Sequence, residues 1–492
     1  MELKIKILKL SAGIPVVIIN ERTANLLGVK TKGRIMIKTI SKHPKKVSTI
    51  VDISPNFVEG NEIGISSEVQ ERLLLKPGQI VDVDLCPTSR SLFYIKNKIN
   101  GAELSQLEIN EIIQDIINNT LSEAEIALFI SAMYQKGMNM EETIRLINAI
   151  VKSGQKLDIS GKYIVDKHSI GGIPGNRTTP LVVSICAADG LIFPKSSSRS
   201  ITTAAGTADV VETLTKVEFS MEELEKIVKK VGACLIWGGS LEIVPADEKI
   251  ISIEKMLNID PEAQLLASIM SKKLALGAKY ILIDIPYGKT AKVTKEKGLD
   301  LKKKFEYIGK HFNRKMRVVL THGNEPVGNG IGPALEMIDI LKVLNRSPER
   351  PLDLEKKSCF LAGEIFEMVG RAKKGEGIKL AQQILNSGKA FEKFEEIIIA
   401  QGGSIKKLEP AKFKKDIVMK RAGKISEFDN KKINFLARIA GCPMDKDAGL
   451  YLYKHVGDSL VKGEKLITIY AESLPRLKEA IKFYESQKPI KF

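Results

Sequence analysis

Long apolar segments, paired cysteines and abundant aromatic residues are all missing from this chain of 492 residues. No run of about 18 apolar residues occurs, so we expect no membrane span. The N-terminus alternates apolar residues with lysine, which predicts a β-strand rather than a signal peptide. The five cysteines stand singly without CxxC spacing. This spacing disfavours a disulfide scaffold or a zinc site and indicates a reducing, cytoplasmic location.

Aromatic residues make up only 5% of the chain, whereas its net charge is strongly positive. A net charge of +17 suits a nucleic-acid-binding protein, which is the non-enzyme alternative. However, the lysines are interleaved with glutamate, and the aromatic residues are too few for a base-stacking platform. We therefore expect no nucleic-acid partner, and note that the same positive field attracts small anionic substrates.

Residues 166–207 hold two glycine- and hydroxyl-rich turns around which the chain is organised. Each turn follows a short apolar run that predicts a strand, at 163–165 and 191–193, and precedes a helical pattern. A strand, a small-residue turn and a helix leave free backbone N–H groups that favour an anion. Lys167 and Arg199 add positive charge. Two such turns predict two phosphate positions, and two ordinary βα loops are the alternative.

The two best-known nucleotide-binding signatures are missing from these turns. Neither GxxxxGK[ST] nor GxGxxG follows the strands, so a P-loop and a dinucleotide site are both disfavoured. No His, Cys or Asp cluster has metal-ligand spacing, so we expect no metal and no organic cofactor.

Four motifs in this order resemble those of the thymidine and pyrimidine-nucleoside phosphorylase family. They are DKHSIGG from Asp166, SSRSITTAAGT from Ser197, PADEK from Pro245 and SIMSKKLA from Ser268. The family carries KHSTGG and SGRGLGHTGGT at the first two places. The resemblance covers roughly residue 104 to the C-terminus. It implies an enzyme that transfers a pentosyl group from a base to inorganic phosphate.

The departures from the family pattern indicate its archaeal AMP-phosphorylase branch. Hydroxyl residues stand in the second turn where thymidine phosphorylases have glycines and a histidine. Ile253 and Glu254 occupy the place of their pyrimidine-binding arginine. An insertion after Gly172 and an extra N-terminal domain also match that branch. It implies conversion of AMP and phosphate to adenine and ribose 1,5-bisphosphate, with preference among AMP, CMP and UMP left open.

Two other enzymes remain as alternatives. A thymidine or pyrimidine-nucleoside phosphorylase is disfavoured by the hydroxyl-rich second turn and the missing arginine. A phosphoribosyltransferase of similar architecture comes third, and would be expected to need Mg²⁺.

The resemblance also implies a set of substrate-binding residues. Lys167, Ser169, Ser197 and Thr207 would hold the attacking phosphate, since a lysine and several hydroxyl donors suit a tetrahedral oxyanion. The hydroxyls of the second turn, beside Arg199, would bind the 5′-phosphate. The full predicted set is Lys167, Ser169, Gly172, Ser197, Ser198, Arg199, Ser200, Ile201, Thr202, Thr203, Thr207, Ser268, Lys272 and Lys292.

Two choices within the site stay open. Asp260 and His168 both compete as the group that protonates the leaving base, and Asp260 precedes a proline where a plain N-cap is the alternative. Lys292 and Lys289 both compete for a substrate phosphate, and either is otherwise a solvated surface lysine.

Local patterns predict a multidomain α/β protein. Residues 1–86 contain a strand–helix–strand repeat with N-caps at Asn20 and Ser66, which resembles a double-psi β-barrel. The family is dimeric, so we expect a homodimer or a larger homo-oligomer. The remaining predicted domains are a helical one at 87–160 joined by about 245–277, a mostly parallel α/β one at 161–244 and 278–402, and a C-terminal α+β one at 403–492.

Overall fold

The computed structural model describes residues 1–86, 89–200, 203–241 and 243–492. The chain divides into two compact units. The first comprises Met1–Gly154 and Pro245–Ser268, and the second comprises Gln155–Val244 and Ile269–Phe492. The finer division into four domains stays a prediction.

The first 86 residues form a closed six-stranded barrel. Its strands are β1 (Glu2–Ile7), β2 (Val16–Ile19), β3 (Arg34–Thr39), β4 (Lys46–Ile53), β5 (Glu62–Ile65) and β6 (Ile80–Leu85), and its helices are α1 (Glu21–Leu27) and α2 (Ser67–Leu73). The strand order is β1-β5-β2-β4-β3-β6. The β1–β5 and β2–β4 pairs are parallel, and the other neighbours are antiparallel. Buried apolar residues alternate with exposed ones along β1, which closes the barrel around an apolar interior.

The two predicted N-caps of the barrel behave differently. The Asn20 side chain accepts a hydrogen bond from the Arg22 N–H and caps α1 as predicted. Ser66 precedes α2, but its hydroxyl accepts from the Val16 N–H at 3.2 Å and makes no cap bond. A neighbouring strand therefore uses the acceptor that the sequence pattern assigned to the helix.

Four helices continue the first unit after the barrel. They are α3 (Ser91–Ile99), α4 (Gln106–Ile117), α5 (Glu123–Lys136) and α6 (Met140–Lys152). The capping boxes predicted at Ser122 with Glu125 and at Asn139 with Glu142 are both present. Isoleucines at helical spacing on α4 are fully buried, so this part is a bundle with an apolar interior.

Strands and helices alternate through the next stretch of the chain. They are β7 (Val165–Ser169), α7 (Thr178–Ala188), β8 (Phe193–Ser197), α8 (Thr207–Val211), α9 (Met221–Val231), β9 (Ala233–Trp237), a 3₁₀ turn (Gly238–Leu241), α10 (Pro245–Leu257), α11 (Glu262–Ala275), β10 (Tyr280–Tyr287), α12 (Lys295–His311), β11 (Lys315–His322), β12 (Gly330–Ile331), α13 (Pro333–Leu344), α14 (Leu352–Val369), α15 (Gly377–Asn386) and α16 (Lys389–Ala400). Helix α10 packs against α4 and α5 in the first unit.

The second unit is built on a parallel sheet, as predicted. Strands β11, β10 and β7 pair in parallel, and so do β8 and β9. The Val165 N–H donates to the Ile192 carbonyl at 2.9 Å and joins the two sets. Helix α7 is buried on nearly all sides and packs against α14 and α16. The carboxyl ends of β7 and β8 therefore lie over a rigid apolar core.

The C-terminal part forms an antiparallel sheet with two helices. Its elements are β13 (Phe413–Val418), β14 (Gly423–Lys424), β15 (Glu427–Phe428), α17 (Asn430–Ala440), β16 (Gly449–Leu452), β17 (Ser459–Leu460), β18 (Lys465–Ala471), α18 (Leu474–Gln487) and β19 (Ile490–Lys491). The sheet order is β12-β16-β18-β13. The predicted pairing of the strands near residues 449 and 465 is confirmed. Across the described residues, no helix is long and apolar enough to cross a membrane.

Candidate active site

Strand β7 ends later than the sequence indicated and includes the start of the first motif. The strand was predicted at 163–165, but the ladder with β10 continues to Ser169, which lies opposite Asp284. Likewise β8 begins at Phe193 and ends at Ser197. Neighbouring strands supply backbone partners on both sides, so polar residues can extend the ladder. Lys167, Ser169 and Ser197 therefore lie at strand ends, held by the sheet, rather than in the turns.

Lys167 is buried and its ammonium group is held by hydroxyls rather than by a carboxylate. Its Nζ donates to Thr178 Oγ1 at 2.8 Å and lies 3.4 Å from Thr179 Oγ1, at the start of α7. Burial lowers the pKa of Lys167 to about 8. A hydroxyl that accepts from an ammonium keeps its own proton to donate. This end of α7 thus presents one cation and two oriented hydroxyl donors.

Two hydroxyls of the predicted set are buried and lack a protein partner. Ser169 Oγ and Ser197 Oγ make no hydrogen bond within the described part of the chain. A third hydroxyl in the same condition is that of Ser196, which lies in the same hydroxyl-rich segment but outside the predicted binding set. A buried polar group without a partner costs about 1–3 kcal/mol. Such groups in a folded protein call for an explanation, and a ligand that pairs them supplies one.

The other face of β7 carries a second group of buried charges. Side chains alternate along a strand, so Asp166 and His168 point away from Lys167 and Ser169. Lys195 Nζ lies 3.3 Å from Asp166 Oδ1, and Lys273 Nζ lies 2.9 Å from Oδ2. One buried carboxylate thus faces two buried lysine side chains, and burial lowers the pKa of Lys273 to about 7.

Burial and the neighbouring lysines together determine the protonation of His168. Burial, together with the ammonium groups of Lys273, Lys195, Lys167 and Lys272, lowers the pKa of His168 well below its usual value. His168 is therefore neutral at pH 7. A neutral imidazole can hydrogen-bond to a substrate, but it is a poor general acid.

The second turn is closed by a carboxylate and a glycine. Asp209 Oδ2 accepts from the Ser200 N–H at 2.7 Å and from the Gly206 N–H at 2.8 Å. A Cβ atom on Gly206 would lie 2.4 Å from the Ser198 carbonyl oxygen, so only glycine fits there. The Thr203 hydroxyl donates to the Ala205 carbonyl at 2.8 Å. These bonds fix the backbone of the turn.

Arg199 is paired with carboxylates. Its guanidinium donates to Glu212 at 2.8 Å through both Nη atoms and to Glu218 at 3.0 Å, and lies 3.3 Å from Asp209. It also stacks over the Trp237 ring at 4.7 Å. Hydrogen bonds to Glu212 hold the pKa of Arg199 above its usual value, outweighing burial. A phosphate at Arg199 would have to share it with these acids.

Gly172 in the first turn lies beside Lys292, which follows β10. A Cβ atom on Gly172 would come within 3.1 Å of the Lys292 Cβ. Asn434 on α17 bridges the two turns, since its Nδ2 donates to the Gly172 carbonyl at 3.4 Å and its Oδ1 accepts from the Ala204 N–H at 3.0 Å. Lys289, the competitor of Lys292, is mostly exposed and pairs with Glu427 at 2.7 Å. The geometry thus brings Lys292, not Lys289, to the turn.

Two predicted residues lie in the first unit. Ser268 donates to Asp247 Oδ2 at 2.8 Å, and Gln264 donates to Oδ1 at 2.8 Å. Asp260 is exposed. A carboxyl group that donates a proton near neutral pH needs burial, and the side chain of Asp260 is not buried. Ile201 and Thr202 lie outside the described residues.

Several residues at the site were not predicted. Most of them have partners that are distant along the chain, so the local sequence does not mark them. Arg177, for example, bonds to Glu336, 159 positions away. Thr178 and Thr179 carried the one usable signal, two hydroxyls at a helix start. The residues missed are Arg177, Thr178, Thr179, Lys195, Ser196, Lys273 and Asn434.

Three known domain families match the chain. Residues 93–154 match the helical bundle domain of the glycosyl transferase family, and residues 161–391 match the α/β domain of that family. Residues 424–491 match the pyrimidine nucleoside phosphorylase C-terminal domain. The matches follow the described bundle, parallel sheet and C-terminal sheet in order.

A solved structure of another enzyme shares the fold. Anthranilate phosphoribosyltransferase from Thermus thermophilus superimposes with a TM-score of 0.53 at 18% identity, covering 63% of this chain and 99% of that one. At this identity the likeness concerns the fold alone.

Curated relatives match the chain over almost its whole length. An AMP phosphorylase of Thermococcus kodakarensis is 43% identical, over 100% of this chain and 98% of the relative. One of Pyrococcus furiosus is 42% identical, over 99% and 97%. A putative thymidine phosphorylase of Ralstonia nicotianae is 41% identical, over 89% and 86%. The chain therefore belongs to the AMP phosphorylase family.

Proposed function

We propose that this protein is a pentosyltransferase that cleaves nucleoside 5′-monophosphates with inorganic phosphate. Its reaction converts AMP and phosphate to adenine and ribose 1,5-bisphosphate, and CMP and UMP are further candidate substrates. The observation that carries the proposal lies on β7 and β8. Within the described residues, buried Lys167 donates to hydroxyls and not to a carboxylate, and the buried hydroxyls of Ser169 and Ser197 have no hydrogen-bond partner. The names of the full-length relatives point to the same substrate.

The attacking phosphate is assigned to the ends of β7 and β8. Lys167, Ser169, Ser197 and Thr207 supply one cation and three hydroxyls, which suit a tetrahedral dianion. A phosphate oxygen forms the new bond to C1′ while the bond from C1′ to the base nitrogen breaks, and its electron pair leaves with the base. Positive charge that develops on the ribose lies against the bound dianion. The protein therefore contributes mainly positioning and charge placement.

The 5′-phosphate is assigned to the second turn and its neighbours. Ser198, Ser200 and Thr203 are assigned to it, together with Ile201 and Thr202. The Ser200 and Thr203 hydroxyls donate to the carbonyls of Thr203 and Ala205, so each would have to exchange that acceptor for a phosphate oxygen. Gly172 and the adjacent Lys292 form the opposite edge. Arg199 either contacts this phosphate directly or fixes the turn through its carboxylates. A second dianion site explains why a nucleotide, and not a nucleoside, is the proposed substrate.

The leaving base must gain a proton. We assign that proton to Asp260, and a neutral hydrogen-bonding role toward the base to His168, whose lowered pKa disfavours an acid role. Ser268 and Lys272 are assigned to the sugar or base. Asp260 has to become less exposed on substrate binding to act as an acid near neutral pH.

Further properties complete the proposal. The two parallel pairs, β1–β5 and β2–β4, within the closed barrel favour the double-psi type. The single cysteines favour a cytoplasmic location. We further propose a homodimer or larger homo-oligomer, and chemistry in which phosphate is a co-substrate and no cofactor takes part.

The test is phosphate-dependent base release from AMP, CMP, UMP, adenosine and thymidine, with the sugar product identified. We expect AMP to yield adenine and ribose 1,5-bisphosphate, and adenosine to be a poor substrate. Turnover of thymidine or adenosine without AMP would instead make the protein a nucleoside phosphorylase. Base release without added phosphate would contradict phosphorolysis altogether.

A further inference from the structure

Arg177 lies between the two turns and is almost wholly buried, with 11% of its side chain exposed. It immediately precedes α7, so it belongs to the first turn. Its Nε donates to Glu336 Oε2 at 2.7 Å on α13. The two Nη atoms donate to the second turn, to Thr207 Oγ1 at 2.9 Å and to the Ala205 carbonyl at 2.7 Å. One planar guanidinium thus joins three segments that are distant in sequence.

The partner carboxylate ties Arg177 to the core. Glu336 is buried, and its Oε1 accepts from the Gly332 N–H at 3.1 Å. Burial raises the pKa of Glu336 to about 7, against the opposing effect of Arg177. An arginine suits this position better than a lysine, because its fixed fork reaches several acceptors at once.

The bond to Thr207 has a chemical consequence. Thr207 Oγ1 accepts from Arg177, so its own hydroxyl proton must be donated elsewhere. The same arrangement occurs where Lys167 donates to Thr178. Arg177 also adds to the positive field at Lys167. Both turns thereby hold a threonine hydroxyl that is polarised by a cation and oriented as a donor.

We propose that Arg177 is a positioning residue for inorganic phosphate, which orients the Thr207 hydroxyl as a donor and holds the second turn against the first. The proposal rests on the proposed function only in naming the anion as the co-substrate. Arg177 does not itself touch the phosphate. It acts through Thr207 and the Ala205 carbonyl.

The test is the dissociation constant of inorganic phosphate alone, measured by titration calorimetry on the full chain. We expect Arg177→Gln and Thr207→Ala each to weaken binding about tenfold, the scale of one charge-assisted hydrogen bond. If Arg177 acts through Thr207, the double variant is weakened no further than about tenfold. Additive losses, or an Arg177→Gln value within twofold of the parent, would overturn the proposal.

Two further variants separate orientation from general support. Asn434→Ala removes the other bridge between the turns. It should lower the melting temperature but leave the phosphate dissociation constant within a few fold. A loss equal to that of Arg177→Gln would mean that orientation of Thr207 is not the mechanism. Arg317→Gln, at a partly exposed pair with Glu364, is the neutral control.

The remaining outcomes are also decisive. If Arg177→Gln does not fold, the cycle is repeated with Arg177→Lys, whose single ammonium cannot reach Glu336, Thr207 and the Ala205 carbonyl together. It should lie between the parent and Thr207→Ala. Because no nucleotide is present, phosphate binding that depends on Arg177 without any AMP turnover would reject the proposed function and keep this proposal.

Discussion

Buried lysines in the helical bundle and in the parallel-sheet region have different kinds of hydrogen-bond partner. In the bundle, Lys98 lies 2.6 and 2.8 Å from the two carboxylate oxygens of Glu142. That carboxylate also accepts from the Leu104 and Asn139 N–H groups. In the sheet region, Lys167 has hydroxyl partners, and Asp166 faces both Lys195 and Lys273. A buried lysine that is bound by a carboxylate supports structure, whereas one that is bound by hydroxyls can also hold an anion.

Removing the compensated lysine should cost the most stability. In Lys98→Met, Glu142 stays buried without its partner, so we expect the free energy of unfolding to fall by about 3–5 kcal/mol. Denaturant titration followed by circular dichroism measures this. The double variant Lys98→Met/Glu142→Leu removes both charges and should recover most of the loss. Equal stability of the single variant and the parent would contradict a structural role for this pair.

Removing Lys167, whose hydrogen-bond partners are hydroxyls, should instead affect activity. We expect Lys167→Met to lower kcat/KM for phosphorolysis about 10²–10³-fold, the usual scale for one preorganised charge. Its unfolding free energy should stay level or rise, because a desolvated ammonium is removed. Steady-state kinetics with varied phosphate measures the first effect. The exposed Lys302→Met serves as control, and a Lys167→Met enzyme that keeps its kcat/KM would remove the basis of the assignment.

A variant of Arg199 tests whether the two turns bind different anions. We expect Arg199→Gln to raise KM for AMP about tenfold through the second turn, with little change in the affinity for inorganic phosphate. Kinetics with each substrate varied in turn measures both values. A larger effect on phosphate than on AMP would show that the turns do not divide the two anions as proposed.

The pH dependence of anion binding should report Lys167. Its pKa of about 8 lies below that of an ordinary lysine, so the ammonium is lost as the pH rises through about 8. We expect the affinity for sulfate, which does not titrate in this range, to fall several-fold between about pH 7 and pH 9.5. A bound anion raises the pKa of Lys167, so this profile moves to higher pH. A flat profile would mean that Lys167 keeps its charge or does not contact the anion.

Local patterns predicted much of the fold. The cap at Asn20, the capping boxes at Ser122 and Asn139 and the parallel order of the sheet are confirmed, because neighbouring residues determine them. Ser66 failed as a side-chain cap because a strand distant in sequence uses its hydroxyl. The strand limits near Val165 were wrong because pairing, not apolarity, extends the ladder.

Less of the candidate site than of the fold could be predicted from the sequence. The motifs marked Lys167, Ser169, Ser197 and Thr207, but they could not show which charges are compensated. The carboxylates around Arg199 and the Arg177–Glu336 pair depend on contacts between distant segments. The assignments of Asp260 and Ser268 stay predictions, because Asp260 is exposed and the Ser268 hydroxyl donates to Asp247.

Titration of inorganic phosphate into the parent, Lys167→Met and Arg199→Gln proteins, followed by ³¹P NMR, tests the central claim most directly. The claim is that the ammonium group of Lys167 on β7 binds the attacking phosphate. We predict saturable binding in the parent and in Arg199→Gln, and loss of binding in Lys167→Met. Binding retained in Lys167→Met and lost in Arg199→Gln would contradict it.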